Sequence, residues 1–334
     1  MTRRVLVTDR AWPDLKVEQG ILAEIDVELI DAPNGDEATL AGLADGACGI
    51  LTCWARTTRR VIEVALPDLE VIVRYGVGLD NIDVEFATGR GVPVAYVPDY
   101  CTTDVAEHTI ALLLSLSRKV GRFDQTIRTG TWDIAEGLPL RRVSGQVLGL
   151  IGFGRIAREV ARRARALGLR VMACSPSLTS EKAGELGVEA ASIDHLLAAA
   201  DFLSIHCPST EETRGMIDAE ALGKLKPTAC LINTSRGDIV DEEALADAIE
   251  TGRLAGAALD VRVKEPPEEG DRLVGMPEVI HTPHAGFYST ESLQSLREQA
   301  ACEVRRVLSG EDPVNLVNPD YLEARQGMED SGGS

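Results

Sequence analysis

The chain has 334 residues, which at about 150 residues per domain predicts two domains. Its 34 Lys and Arg against 53 Asp and Glu leave a formal charge of −19, which argues against a nucleic-acid partner, because phosphate contacts need cations. With 44% hydrophobic and 26% charged residues, the composition is that of a globular protein and excludes wholesale disorder.

No apolar run approaches the ~20 residues of a membrane span, and no stretch clusters Lys and Arg into a membrane-surface patch. The first residues lead directly into a strand-like Val5-Leu6-Val7 without a signal-peptide pattern, so the expected location is the cytoplasm. The seven cysteines are scattered and contain no C-x-x-C, and His108, His195 and His206 have no ligand partner three or four residues on. Neither a disulfide framework nor a metal site is expected.

Strand-length apolar runs alternate with helical patterns, the mark of parallel sheets covered by helices. The first series predicts strands at 4–8, 27–30, 49–53, 69–74 and 92–97, with helices at 15–25, 37–44, 58–65 and 84–88. A stronger helix follows at 103–119, opened by Thr102-Thr103-Asp104 as a cap signal. Its broad apolar face carries Val105, Ala106, Thr109, Leu112, Leu113 and Leu116 and suits either a domain core or a dimer interface. The second series predicts strands at 146–151, 171–174, 202–206, 229–233, 256–260 and 279–282, then a helix at 291–308. Residues 326–334 are expected to be a disordered tail.

Gly152-Phe153-Gly154-Arg155-Ile156-Ala157 reads G-x-G-x-x-A between a predicted strand and a predicted helix. Gly152 permits a tight turn, Gly154 lets the backbone approach a pyrophosphate, and Ala157 allows close helix–strand contact. The helix start then offers N–H groups and a positive dipole end to the phosphate. About 20 residues on, where an acid would accept from the adenosine ribose, stands Ser175. A serine does not repel a 2′-phosphate, yet the nearest base is Lys182, so NAD or NADP is permitted and dual or NAD-leaning use is expected.

Five blocks in order, Arg74 to Asp83 (RYGVGLDNID), Val105 to His108 (VAEH), the glycine-rich turn, Asn233 to Asp241 (NTSRGDIVD) and Thr282 to Gly286 (TPHAG), resemble the D-isomer-specific 2-hydroxyacid dehydrogenase family over nearly the whole chain. Arg74-Tyr75-Gly76 and Phe287-Tyr288-Ser289 look most like the branch that includes the C-terminal-binding proteins and their bacterial dehydrogenase relatives. The resemblance implies an α/β architecture of two doubly wound parallel-sheet domains. A Rossmann cofactor domain at 102–291 is inserted into a flavodoxin-like substrate domain made of 1–101 and 292–325. A homodimer through the 103–119 helix and the cofactor domain is implied as well.

The resemblance assigns catalysis to Arg236, Glu265 and His284, and the chemistry suits them. Imidazole titrates near neutral pH, so His284 can protonate an alkoxide and later recover the proton. Glu265 would orient it and favour imidazolium. Arg236 offers a planar donor fork to the carboxylate and carbonyl of a substrate. For the cofactor the resemblance carries over Gly152, Gly154, Arg155, Ile156, Ser175, Cys207 and Pro208 beside the adenine, Thr234, Asp260 at the nicotinamide carboxamide, and His284. For the substrate it carries over the backbone of Val77 and Gly78, with Arg236 and Phe287.

Arg262 stands where relatives commonly place an aromatic, and Arg56 lies in a loop after a predicted strand. With Arg74 they would favour a substrate bearing a second anionic group, such as a dicarboxylate or phosphonate, against the plainer reading of solvated loop arginines. Phosphite oxidation is disfavoured, because that relative carries a lysine at the place of Val77. His108 and His206 read as structural, while His195 starts a predicted helix and His281 precedes His284 on the alternate strand face. The expected function is NAD(P)-dependent interconversion of a small anionic 2-oxo acid and its D-2-hydroxy acid. The alternative is an NAD(H)-sensing interaction protein with little turnover.

Overall fold

Aliphatic runs bounded by polar turns form the strands of two parallel sheets in the computed structural model, which describes residues 2–332. In chain order the first sheet has β1 (Arg3–Val7), β2 (Val27–Asp31), β3 (Ala47–Thr52), β4 (Val71–Arg74) and β5 (Val94–Ala95). The crossovers contain α1 (Lys16–Leu22), α2 (Glu37–Ala44), α3 (Arg59–Ala65) and α4 (Val84–Gly89). The sheet order is β2-β1-β3-β4-β5, the flavodoxin-like doubly wound order. Every residue of β3 is buried, as a central strand covered by helices on both faces requires.

The second sheet begins after α5 (Thr102–Arg118) and α6 (Val120–Arg128). Its elements are β6 (Val147–Ile151), α7 (Arg155–Ala166), β7 (Arg170–Cys174), α8 (Ser180–Glu185), β8 (Glu189–Ala190), α9 (Ile193–Ala199) and β9 (Phe202–Ile205). They continue with α10 (Ala219–Lys224), β10 (Cys230–Asn233), α11 (Glu242–Glu250), β11 (Gly256–Leu259) and β12 (Val279–His281). The order β12-β11-β10-β9-β6-β7-β8 is the Rossmann order extended by one strand, and it reverses between β6 and β9. Two elements here escaped the sequence pattern. The short strand β8 has only two residues, and α6 follows α5 after Lys119 adopts a left-handed φ of 50°.

The apolar face of α5 lies in the core of its own unit. Ala106, Leu112 and Leu113 pack with Ala157, Val160, Ala161 and Ala164 of α7 beneath β6. Of the two readings of this face, the domain core is the one observed, because intramolecular packing covers it.

The chain then returns through α12 (Thr290–Leu308) and α13 (Tyr321–Gly332), and it divides into two units, Met1–Tyr100 with Ser289–Ser334, and Cys101–Tyr288. A capping box made by Ser289 and Ser292 starts α12. Its Leu296, Ala300, Val304 and Leu308, spaced every four residues, enter the core with Val5, Val7 and Val73. Helix α13 carries the chain through most of the stretch expected as a disordered tail. Arg325 explains part of this, since its Nε donates to the Gly91 carbonyl at 3.2 Å and its guanidinium lies over Tyr321. Gly333 and Ser334 of that expected tail lie outside the described residues.

A buried ion pair joins α1 to α12. Arg297 donates to both oxygens of Glu18, at 3.0 Å from Nε and 2.9 Å from Nη2, and Glu18 is fully buried. Tyr75 also donates to Glu18 at 3.2 Å and packs edge-on against Trp12, which ties β4's exit to the same pair. Removing one member of such a pair leaves an uncompensated buried charge. Glu18→Ala is expected to lower the unfolding free energy by about 3–5 kcal/mol, whereas Glu18→Leu combined with Arg297→Met recovers most of the loss. Urea unfolding of both variants checks this, and equal losses would refute it.

Candidate active site

The glycine-rich turn is built by close approach of two strand exits. Gly152, at the end of β6, has a φ of +86°, and its N–H donates to Cys174 O at 2.8 Å. A Cβ there would sit 2.6 Å from the His206 carbonyl and 2.7 Å from the Cys207 nitrogen, so a side chain is excluded. Gly154 is the N-cap of α7, and a Cβ there meets nothing within 4 Å. The space above the helix start is open on the side where a pyrophosphate would approach, and the residues fit a dinucleotide. Arg155 and Ile156 are the first two residues of α7, while Ser175 and the Cys207-Pro208 pair follow β7 and β9 at the same end of the sheet.

Beside this turn, Ser204 and His206 share a hydrogen bond at 2.8 Å. Burial pushes the His206 imidazole down to about 4. It has no place in the candidate chemistry and is a neutral structural histidine.

After β10, Asn233 organises the turn that carries Thr234, Ser235 and Arg236. Its side chain accepts from Ser235 N at 3.0 Å and donates to Arg236 O at 2.8 Å, a local Asx arrangement. Ser235 Oγ donates to Cys207 O, which ties this turn to the exit of β9. Thr234 shares a hydrogen bond with Thr109 of α5 at 3.1 Å.

His284 follows β12 with a left-handed φ of 52°. Non-glycine residues rarely hold that conformation, and the surroundings impose it. The His284 N–H donates to Asp260 O at 2.8 Å. The buried Asp260 carboxylate accepts from Thr282 Oγ1 at 2.6 Å, Ala285 N at 2.8 Å and Gly286 N at 2.9 Å, with His108 Nε2 3.3 Å away. Burial alone would raise the Asp260 carboxyl, but His108, Thr282 and the two backbone donors together hold it below the usual carboxylate range. Thr282 and His108 were not singled out for this cluster by sequence, since 22 and 152 residues separate them from Asp260.

Glu265 meets His284 within the same unit, its Oε2 lying 2.8 Å from His284 Nδ1. The other oxygen accepts from the Arg262 N–H at 2.9 Å. Burial raises the Glu265 carboxyl, and the bonds from His284 and the Arg262 N–H outweigh it, so the group sits below its ordinary range. Phe287 stands edge-on to the imidazole, with ring centroids 6.3 Å apart. Arg236 is half-buried, and its Nη1 donates to Ser235 O at 2.7 Å.

Arg262 does not have the exposed position that a substrate contact would need. Its side chain is 6% exposed and is held by Glu242 and Asp271, so the reading of it as a second anion site is corrected. In the other unit Arg56 is exposed, Val77 is 44% exposed, and Arg74 donates to Tyr75 O beside Gly76, whose φ is +133°. Asn81 donates to the carbonyls of Cys53 and Ala55, so the loop at 76–81 is fixed to the loop that carries Arg56.

Among the described residues there is no group of three or more His, Cys, Asp or Glu able to hold a metal ion, and no helix is long and apolar enough to cross a membrane. Among the described residues, Cys48, Cys53 and Cys101 are buried.

Residues 110–286 match the family model described as D-isomer-specific 2-hydroxyacid dehydrogenase, NAD-binding domain. A D-3-phosphoglycerate dehydrogenase of Mycobacterium bovis is 38% identical over 94% of the chain, and the chain spans 58% of that relative's length. A glyoxylate reductase of Korarchaeum cryptofilum is 37% identical over 97% of the chain and 98% of its own length. A crystal structure of a Thermus thermophilus protein, 35% identical, superposes with a TM-score of 0.86 over 94% of this chain and 99% of its own.

His206 is neutral in the fold and, in the unfolded chain, protonates below about pH 6.5. Stability therefore falls as the pH drops from about 6.5 to 4, by up to about 3 kcal/mol from this residue. Urea unfolding of His206→Gln across that window is expected to lack this part of the slope; an unchanged slope would contradict the assignment.

Proposed function

The chain belongs to the D-isomer-specific 2-hydroxyacid dehydrogenase family, and on that basis we propose that it is an NAD(P)-dependent oxidoreductase interconverting a small anionic 2-oxo acid and its D-2-hydroxy acid. The observation that carries this reading is the 2.8 Å contact between His284 Nδ1 and Glu265, in the same unit as Arg236 and the open helix start at Gly154. A nicotinamide held at the turn of residues 152–157 would supply or accept the hydride at substrate C2. With Nδ1 committed to Glu265, His284 Nε2 delivers the proton to the emerging alkoxide and takes it back in the reverse direction. Arg236 binds the carboxylate and polarises the carbonyl, where its permanent charge opposes the negative charge that develops on oxygen.

Asp260 Oδ2, with Gly286 N as its donor, keeps acceptor capacity for the nicotinamide carboxamide. Ser175 tolerates either ribose, so both cofactors are accepted with NAD favoured. Scattered cysteines without a C-x-x-C fit a reducing compartment such as the cytoplasm.

Purified protein mixed with NADH or NADPH and a panel of simple, hydrophobic, dicarboxylic and phosphonate-bearing 2-oxo acids is expected to oxidise both cofactors, NADH faster. His284→Ala lowers kcat by about 10²–10⁴. Failure of every 2-oxo acid to exceed the His284→Ala background refutes the assignment.

The homodimer is proposed on a surface other than the apolar face of α5. Val120, Ile127, Trp132, Ile134 and Leu138 are all exposed, Trp132 at 88%, which is more apolar side chain in one segment than a monomer needs to show to water. Sedimentation is expected to give a dimer for the wild-type chain and a monomer for Trp132→Asp with Ile134→Asp; a monomeric wild-type chain rules this out.

A further inference from the structure

The loop that carries Glu265 raises a question of rigidity. Residues 263–270 are all exposed, yet Glu265 must meet His284 at hydrogen-bond distance. An exposed loop of this length has no packing of its own to hold a carboxylate in register. What holds it lies at its two ends, in a cluster that neither cofactor nor substrate chemistry requires.

Arg262 enters that cluster from the loop's first end. Its Nε and Nη2 bond both oxygens of Glu242, at 2.9 and 3.0 Å, in a fork-to-fork pair. Nη2 also bonds Asp271 Oδ2 at 2.7 Å, which joins the two ends of the exposed loop. Glu242 opens α11, where a carboxylate is favoured by the helix dipole, and it accepts from Val263 N at 2.9 Å as well. Asp271 Oδ1 accepts from Val274 N at 3.1 Å and so fixes the far end.

The backbone of the same residue touches the catalytic group twice. Its N–H donates to Glu265 Oε1. Its carbonyl carbon would lie 2.0 Å from a Cβ on Gly237, so it packs against the turn immediately after Arg236. Displacing Arg262 would therefore disturb the Arg236 turn and the Glu265 carboxylate together.

We propose that Arg262 is a positioning residue, whose guanidinium, clasped by Glu242 and Asp271, locks the loop so that its backbone N–H presents Glu265 to His284. This rests on the reading of Glu265 and His284 as the catalytic pair. A buried ion cluster is a poor device for stability alone, since desolvation offsets most of its Coulomb attraction. Its planar fork fixes direction, which a Met or Lys at this place does not do.

The test uses Arg262→Met, Arg262→Lys and Glu242→Gln in the full chain, with Glu265→Ala as reference and thermal melts as the check on folding. Long-range ¹H–¹⁵N spectra at high pH, with His284 assigned by His284→Asn, report which ring nitrogen of the neutral imidazole carries the proton. Wild type is expected to hold it on Nδ1, facing Glu265. Arg262→Met moves it towards Nε2, as Glu265→Ala does, and lowers kcat by about ten- to a hundredfold. Arg262→Lys restores little of either.

A folded Arg262→Met with the wild-type tautomer and kcat overturns the proposal. A rise in KM for dianionic substrates alone also overturns it, in favour of direct substrate contact. Should Arg262→Met fail to fold, the same two readings of Glu242→Gln and Asp271→Asn decide between the outcomes. Absence of turnover in the wild-type chain would refute the dehydrogenase reading instead, while the tautomer measurement still decides whether Arg262 positions Glu265.

Discussion

One buried carboxylate sets the geometry on which the candidate chemistry depends. Asp260 gathers a threonine hydroxyl, two backbone N–H groups and a histidine around its two oxygens, and its own carbonyl receives the His284 N–H. An ionised carboxylate at 3% exposure is tolerated only with such donors, because burial without them costs several kcal/mol. The same bonds force the chain after β12 into a tight turn, and His284 takes the left-handed conformation as a consequence. Backbone strain at a functional residue persists where neighbouring interactions over-determine it.

From that turn outwards the constraints are serial. His284 meets Glu265, Glu265 is held by the Arg262 N–H, and Arg262 is anchored on Glu242 and Asp271. Each link is a charge-assisted hydrogen bond of fixed direction, so placement passes from the first turn of α11 to an imidazole without one large hydrophobic contact. The net charge of −19 is no guide to this site. Acidic residues outnumber basic ones along the chain, while Arg236 sits half-buried and Arg262 buried.

Much of the architecture was legible because its causes are local. Glu37–Ala44 appears as the apolar spacing predicts, and nearly all predicted strands form within two or three residues of their expected limits. The glycine-rich turn was readable because strand, turn and helix adjoin in sequence, and each glycine answers a requirement within a few residues or at the neighbouring strand exit. Two-residue β8 and the break at Lys119 were not readable, since neither gives a periodic signal long enough to detect. The α5 face left core and interface open because apolarity alone does not say which partner covers it; α7 does.

The sequence by itself determined two parallel α/β layers, the nucleotide-type turn, and the residue types able to carry acid–base chemistry. These follow from period, composition and short-range spacing. Tertiary structure alone decided the partners of Arg262, Asp260 and His108. A loop arginine reads identically whether it meets solvent, a substrate or a glutamate 20 residues earlier in the chain. Only folding brings Glu242 and Asp271 to Arg262, and that contact turns a candidate substrate cation into the anchor of the loop that bears Glu265.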